Sequence, residues 1–468
     1  MPITYSGPKK PSVSRFRGVL KVMLFSAALV PLSAFSQQSM TLQQAIGKTL
    51  AQHPELKAYR FMDDAAKGYI QQAGVGTPLK VTLGVEDALG TGDASGISGM
   101  ETTLGLIWLL EQKQLDSRVG VETQKAKLTA IEQQAKALDL AAETANIFIR
   151  LLTQKEQLQL AKLARYQAQK SLEEITQRVA VGKVNVIDQL RAKADLSKKA
   201  LVVEDLLHEI EASYAQLAAQ WGQQLGEAHQ EQAPHAQEQH LQASHIHKDD
   251  SQESTAEQGQ AQYGEQDHEE FAVVGDLKRI PTIEQLDVAY EKLKSNPNIR
   301  HFATQRRVAE SEIALARVSA SPAWQINAGL RRSEANDDFG FVAGIAIPFG
   351  GENRNQGKIR ALQAKQSQQQ ADAEALFQRI STQILLLTHQ LKHNRHVAEG
   401  LSTETIPALD EAQQRATKAY RVGNYSYTDL YAIQQELLEA QGELIEAYAN
   451  MQFINIELER LTGASIPQ

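Results

Sequence analysis

An α+β architecture of two repeats, each a long helical coiled coil carrying a pair of membrane-length strands, is what this sequence predicts. Three observations carry it: a duplication at constant offset, four runs of alternating hydrophobicity, and two long stretches almost free of helix breakers. Thr41-Leu42-Gln43-Gln44 returns as Thr282-Ile283-Glu284-Gln285, and Val181-Gly182 with Asp188 returns as Val422-Gly423 with Asp429, each 241 residues later. His53-Pro54 returns as Asn296-Pro297 at 243, and Gly222 as Gly463 at 241. Offsets this constant mark a structural repeat and not a recurring short motif. Each copy reads helix, two strands, long helix, turn, helix.

The ends and the composition narrow the class. Arg15, Arg17 and Lys21 precede an apolar run from Val22 to Leu32, followed by Ala34-Phe35-Ser36, which reads as a secretory signal over residues 1–36. An N-terminal membrane anchor is the rival, but the run is too short to span comfortably. The first repeat then covers 37–222, an insert 223–280 and the second repeat 281–468. Cysteine is absent, which excludes disulfides, thiolate metal sites and an N-terminal lipid-modified Cys. A net charge of −8 without a basic stripe argues against nucleic acid. No phosphate-binding loop, nucleophile–base set or dinucleotide fingerprint is present, so neither an enzyme nor a cofactor is expected.

The strands alternate cleanly. Val81, Leu83, Leu104, Leu106, Ile326, Leu330, Phe341 and Ile345 occupy apolar positions, with Thr82, Gly105, Asn327 and Gly344 among the intervening ones. Runs of about ten residues with period two match a tilted strand crossing an outer membrane, and these eight side chains are expected to face lipid. Trp108, Trp324, Phe339 and Phe349 lie near run ends, where an aromatic girdle belongs. Two hairpins in a small soluble sheet are the competing reading, but no further strands exist to bury their apolar faces. Four strands cannot close a barrel, since the smallest membrane barrels have about eight. Chains must therefore pool strands, and three chains would make about twelve.

The helices are longer than a globule needs. Asp116 to Ala180 holds no proline and one glycine, Gly120, enough for roughly 100 Å of helix. Asn355 to Tyr420 matches it, with a kink expected at Pro407. Dilute apolar positions mixed with Gln and Lys suit a helix buried along a narrow seam. Capping boxes are expected at Thr41 with Gln44 and at Thr282 with Gln285.

This combination resembles the TolC family of outer-membrane efflux ducts, from Thr41 to Gly463. The most specific motifs are the paired turns, Arg178-Val179-Ala180-Val181-Gly182-Lys183 and Tyr420-Arg421-Val422-Gly423-Asn424-Tyr425, each running on to Asp188 or Asp429. The resemblance implies a homotrimer with a twelve-stranded barrel in outer-membrane lipid and a helical tunnel reaching into the periplasm. It implies that Val181, Gly182, Val422 and Gly423 form a tip that docks a periplasmic adaptor and irises closed, and that Asp188 and Asp429 line a pore constriction. The chain departs from the family pattern at Ala432, where a second acidic residue is expected, and at Tyr425, where some relatives carry an arginine. Asp188 and Asp429 also fit a simpler role as caps of the return helices.

The insert breaks the repeat. From Glu227 to Glu270 it has eleven acidic residues against Lys248 alone, and six of the chain's twelve histidines: His229, His235, His240, His245, His247 and His268. A segment so poor in apolar residues is expected to be disordered. Its imidazoles and carboxylates suit loose binding of transition-metal cations, and a plain soluble linker fits as well. The segment resembles the CzcC-like, cobalt–zinc–cadmium branch of the same family. The expectation is therefore a passive duct of a tripartite system, exporting divalent metal cations, with a proton-driven inner-membrane pump and an adaptor as partners. A duct for drugs or secreted polypeptides is the runner-up, and a soluble periplasmic coiled-coil scaffold the competitor from another class.

Overall fold

The computed structural model describes residues 38–92, 95–223, 271–321, 323–350 and 353–463. The expected signal segment 1–36 and the six insert histidines lie outside them. In chain order the elements are β1 (Gln38–Met40), α1 (Leu42–Gln52), α2 (Pro54–Ala73), β2 (Lys80–Glu86), β3 (Glu101–Leu110), α3 (Gln112–Ala180) and α4 (Val186–Ala219). The second copy follows with β4 (Phe271–Val273), α5 (Leu286–Leu293), α6 (Pro297–Ala320), β5 (Trp324–Ser333) and β6 (Asp338–Ala346). Then come α7 (Gln356–Gly400), a π turn (Leu401–Thr405), α8 (Ile406–Arg421) and α9 (Tyr427–Thr462).

The single first helix expected in each copy is two helices. Pro54 and Pro297 each stand at the first turn of a new helix, where their missing N–H costs nothing. The Thr41–Gln44 capping box forms as expected, with Gln44 N donating to Thr41 Oγ1 at 3.4 Å and Thr41 N to Gln44 Oε1 at 2.9 Å. Its expected counterpart does not: α5 starts after Gln285 with no side-chain cap, so Thr282 stays outside the helix. Pro407 is accommodated by the π turn just before α8, which absorbs the lost hydrogen bond and the ring's clash with the preceding turn.

The four long strands form one antiparallel sheet in the order β2-β3-β5-β6, so the two hairpins join through β3 and β5. Registered pairs run Val81 with Leu106, Leu83 with Leu104, Leu104 with Leu330, Ile326 with Ile345, and Leu330 with Phe341. All eight expected lipid-facing residues therefore share one face, and Phe341 is 91% exposed there. The other face carries Thr82, Thr103, Gly105, Asn327, Gly329 and Gly344. Strands β2 and β6 are left as open edges.

Below the sheet, α3 runs the full height of the body and packs on α2 and α6 near the strands and on α4 and α9 further down. The largest core, around Phe148, Leu151, Tyr214, Leu217 and Trp221, lies where α1, α3, α4 and α9 meet. A small second sheet is clamped on it: β4 pairs in parallel with β1, and Phe271 meets Tyr214 and Trp221 edge-on at 5.4 and 5.6 Å. This corrects the expected extent of the insert. Residues 271–280 are part of the folded body, with Phe271, Val273 and Leu277 buried, because these apolar side chains cover the α3–α4 groove.

Candidate functional site

Both turns expected to form the tip are Schellman motifs. Gly182 (φ +70°) donates to Val179 O at 2.9 Å and Lys183 to Arg178 O at 2.9 Å. Gly423 (φ +85°) donates to Tyr420 O at 3.1 Å and Asn424 to Ala419 O at 2.9 Å. The left-handed position is why glycine recurs there: it lets the chain reverse while satisfying carbonyls the helix end leaves open. Val181 and Val422 project outward, 66% and 72% exposed.

The two return helices are capped three residues earlier than Asp188 and Asp429. Asn185 Oδ1 accepts from Ile187 N at 3.0 Å. Ser426 Oγ accepts from Asp429 N at 3.1 Å and donates to Asp429 Oδ2 at 2.6 Å. The aspartates sit instead in the first helical turn, where the N-terminal dipole favours a carboxylate. Asp429 is exposed, whereas Asp188 is half-buried; burial raises the Tyr420 hydroxyl above its ordinary value, and Asp188 adds a smaller push the same way.

Arg178 ties the two turns together. Arg178 donates to Tyr420 O at 3.0 Å and Arg421 O at 3.1 Å, and its guanidinium lies 4.3 Å from the centre of the Tyr420 ring. Behind it Ile175, Ala192, Ala416, Tyr420, Tyr427 and Leu430 form a separate buried cluster. Burial, and then the neighbouring Asp195, pushes the Tyr427 and Tyr431 hydroxyls up to about 12, and Tyr431 donates to Asp195 Oδ1 at 2.9 Å. The two helical hairpins thus meet through neutral hydroxyls and through Arg178, with Arg421 adding an ion pair to Glu174 at 3.2 Å.

A feature not anticipated from the sequence continues upward from Asp429. Asp429, Ala432, Glu436, Glu439, Glu443, Glu446 and Asn450 are all exposed, at alternating steps of three and four. That spacing makes a straight stripe on a supercoiled helix, about 25 Å from Asp429 to Glu446. From Tyr427 to Glu459 the helix carries no Lys or Arg, and no described residue hydrogen-bonds or ion-pairs with the four glutamates. The stripe lies between the flanks that pack on α3 and α7. Gln452, about 150° around the helix from it, donates to the carbonyls of Leu277 and Arg279. The carboxylates therefore occupy the side of the helix layer opposite the β1–β4 segment. The signal was in the sequence: five acids at heptad spacing with no intervening cation.

His389, His393 and His396 are exposed along α7, and among the described residues no three His, Asp or Glu side chains are grouped to hold a metal.

Amphipathic strands with one exposed apolar face, on a helical body far longer than a membrane is thick, fit an outer-membrane β-structure with a periplasmic extension. The outer membrane efflux protein model matches residues 45–223 and 288–464, and the chain belongs to that family. It is 21% identical over 431 residues to the cobalt-zinc-cadmium resistance protein CzcC of Cupriavidus metallidurans, covering 91% of this chain and 90% of that one. Its fold matches CusC with a TM-score of 0.63 at 16% identity, covering 90% of this chain and 91% of that one. It matches the outer membrane protein VceC of Vibrio cholerae with a TM-score of 0.64 at 15% identity, covering 90% and 96%. The protein is thus placed in the outer membrane, extending into the periplasm, and the soluble scaffold reading falls.

Proposed function

We propose that the chain is the passive outer-membrane duct of a tripartite efflux system and that its cargo is divalent metal cations. The observation that carries the cargo class is the α9 stripe of unpaired carboxylates above Asp429. In this reading three chains pair β6 of one with β2 of the next, which satisfies both open edges and closes twelve strands. The stripe side of the helix layer then lines the tunnel, and the β1–β4 side faces outward. Fixed negative charge along a confined path concentrates cations and repels anions. The similarity to a cobalt-zinc-cadmium resistance protein supports the same cargo. Energy comes from an inner-membrane proton-driven pump through a periplasmic adaptor.

The test replaces Glu436, Glu439, Glu443 and Glu446 by Gln together. Folding should be unchanged, since none of the four has a partner to lose among the described residues. In planar bilayers the cation-over-anion permeability ratio should fall by about threefold or more, and cells lacking the native gene should lose cobalt and zinc tolerance. Unchanged selectivity with unchanged tolerance would remove the cation reading. Loss of resistance to detergents and dyes instead of metals would favour a drug duct.

The tip has its own test. Val181→Asp with Val422→Asp should leave assembly intact, because both valines are largely exposed, yet abolish adaptor capture in pull-downs and abolish export. Glycine replacements are a poorer probe: a Cβ at Gly182 or Gly423 meets open space, but the positive φ strains any other residue by about 1–2 kcal/mol. For the insert, residues 223–270 as a peptide should bind several Zn²⁺ weakly, with binding fading below about pH 6 as imidazoles protonate.

A further inference from the structure

On the pore-facing side of the strand sheet, Glu86 of β2 and Glu101 of β3 are registered partners, directly opposite one another. Like charges so placed are destabilising. Here both converge on Arg331 of β5, with Nη2 3.0 Å from Glu86 Oε2 and Nη1 2.6 Å from Glu101 Oε2. Nε of the same guanidinium donates to Thr103 Oγ1 at 3.0 Å. The register puts all four side chains on the face of Thr82, Gly105 and Gly329, away from the apolar one. Two carboxylates and one guanidinium leave a net negative charge, which hydrocarbon does not tolerate and a water-filled pore does. The group stands at the end of the sheet remote from the helices, where β2 ends and β3 begins. With the helices in the periplasm, that end is the exit.

We propose that Arg331 is a resident counter-ion, occupying the position between two carboxylates where a divalent cation would otherwise bind. The inference rests on the duct reading above. Two carboxylates on adjacent strands, with a hydroxyl beside them, are an oxygen donor set suited to a divalent ion. A guanidinium held by three hydrogen bonds saturates them with a charge that does not leave. The exit then keeps a modest negative potential, which draws cations forward, without chelating them. Conduction requires this combination: favourable enough to enter, too weak to stay.

The experiment uses the purified full-length protein, wild type, Arg331→Gln, and Arg331→Gln with Glu86→Gln and Glu101→Gln. In planar bilayers, Zn²⁺ on the exit side should block Arg331→Gln channels at a concentration about tenfold or more below that needed for wild type. In detergent, Zn²⁺ should raise the melting temperature of Arg331→Gln and leave wild type and the triple variant unmoved. Where Arg331→Gln does not assemble alone, Zn²⁺ or the two Glu→Gln changes should restore it. Restoration by the Gln changes but not by Zn²⁺ overturns the assignment, as does a variant neither blocked earlier nor stabilised by Zn²⁺. A wild type that opens no channel, with Zn²⁺ still stabilising Arg331→Gln, would sink the duct reading and leave the counter-ion assignment standing.

Discussion

Arginine at Ile345 or Val81 is expected to abolish outer-membrane assembly, whereas arginine at Thr82 should be tolerated. Ile345 and Val81 lie on the uninterrupted apolar face and are 64% and 68% exposed in the single chain, as the proposed lipid-facing role requires. A cation there costs about 2–4 kcal/mol at mid-depth, and a closed barrel of several copies multiplies the cost. Thr82 is the neighbour of Val81 on the opposite face, so an arginine there reaches water. It is a cleaner control than Gly344, where an added Cβ meets Asn327 Oδ1 at 2.5 Å on the polar face. Heat-modifiable migration of outer-membrane fractions reads the result. Equal loss at Thr82 and Val81 would show that the two faces are not what the alternation says.

Asn296→Ala should be the most damaging polar truncation in the helical body. The side chain is 1% exposed and completes two helices at once. Its Oδ1 accepts from Asn298 N at 2.8 Å, capping α6, while Nδ2 donates to Arg460 O at 3.0 Å and Leu461 O at 2.9 Å at the end of α9. Removal loses a cap, worth about 1 kcal/mol, and strips buried carbonyls of a donor, about 1–3 kcal/mol more. A total near 2–4 kcal/mol should appear as a lowered melting temperature in detergent. His53, at the same place in the first copy, accepts only from Glu55 N at 3.1 Å, so His53→Ala should cost about 1 kcal/mol. Equal losses at the two sites would contradict this account. Gly463 explains the asymmetry: it ends α9 at φ +68° with a Cβ position only 3.0 Å from Asn296 Cα, so the two segments touch. Gly222 has nothing nearer than a Pro54 side-chain carbon at 3.9 Å.

The misassigned caps show where sequence reading runs short. Asp188 and Asp429 were the conspicuous acids near each turn, yet Asn185 and Ser426 take the cap, because the helix begins where an oxygen can reach back to an orphan N–H. The α9 stripe, by contrast, needed no coordinates, only attention to spacing.

The sequence alone determined the features written in local periodicity. Period two separated apolar Val81, Leu83, Phe341 and Ile345 from their polar neighbours, the absence of proline set the length of α3, and the recurring Val-Gly placed both helical turns. Each follows from a preference that a residue expresses against its near neighbours. Only the tertiary structure decided what meets across long separations: β3 against β5, β4 against β1, Arg178 on the carbonyls of the other hairpin, Asn296 under the end of α9. Arg331 is the sharpest case. Nothing within its own strand hints at a partner, and the two carboxylates that hold it lie about 230–245 residues away, brought in by sheet register. Such contacts depend on which surfaces pack once the chain has closed its long loops, and local sequence carries no record of that choice.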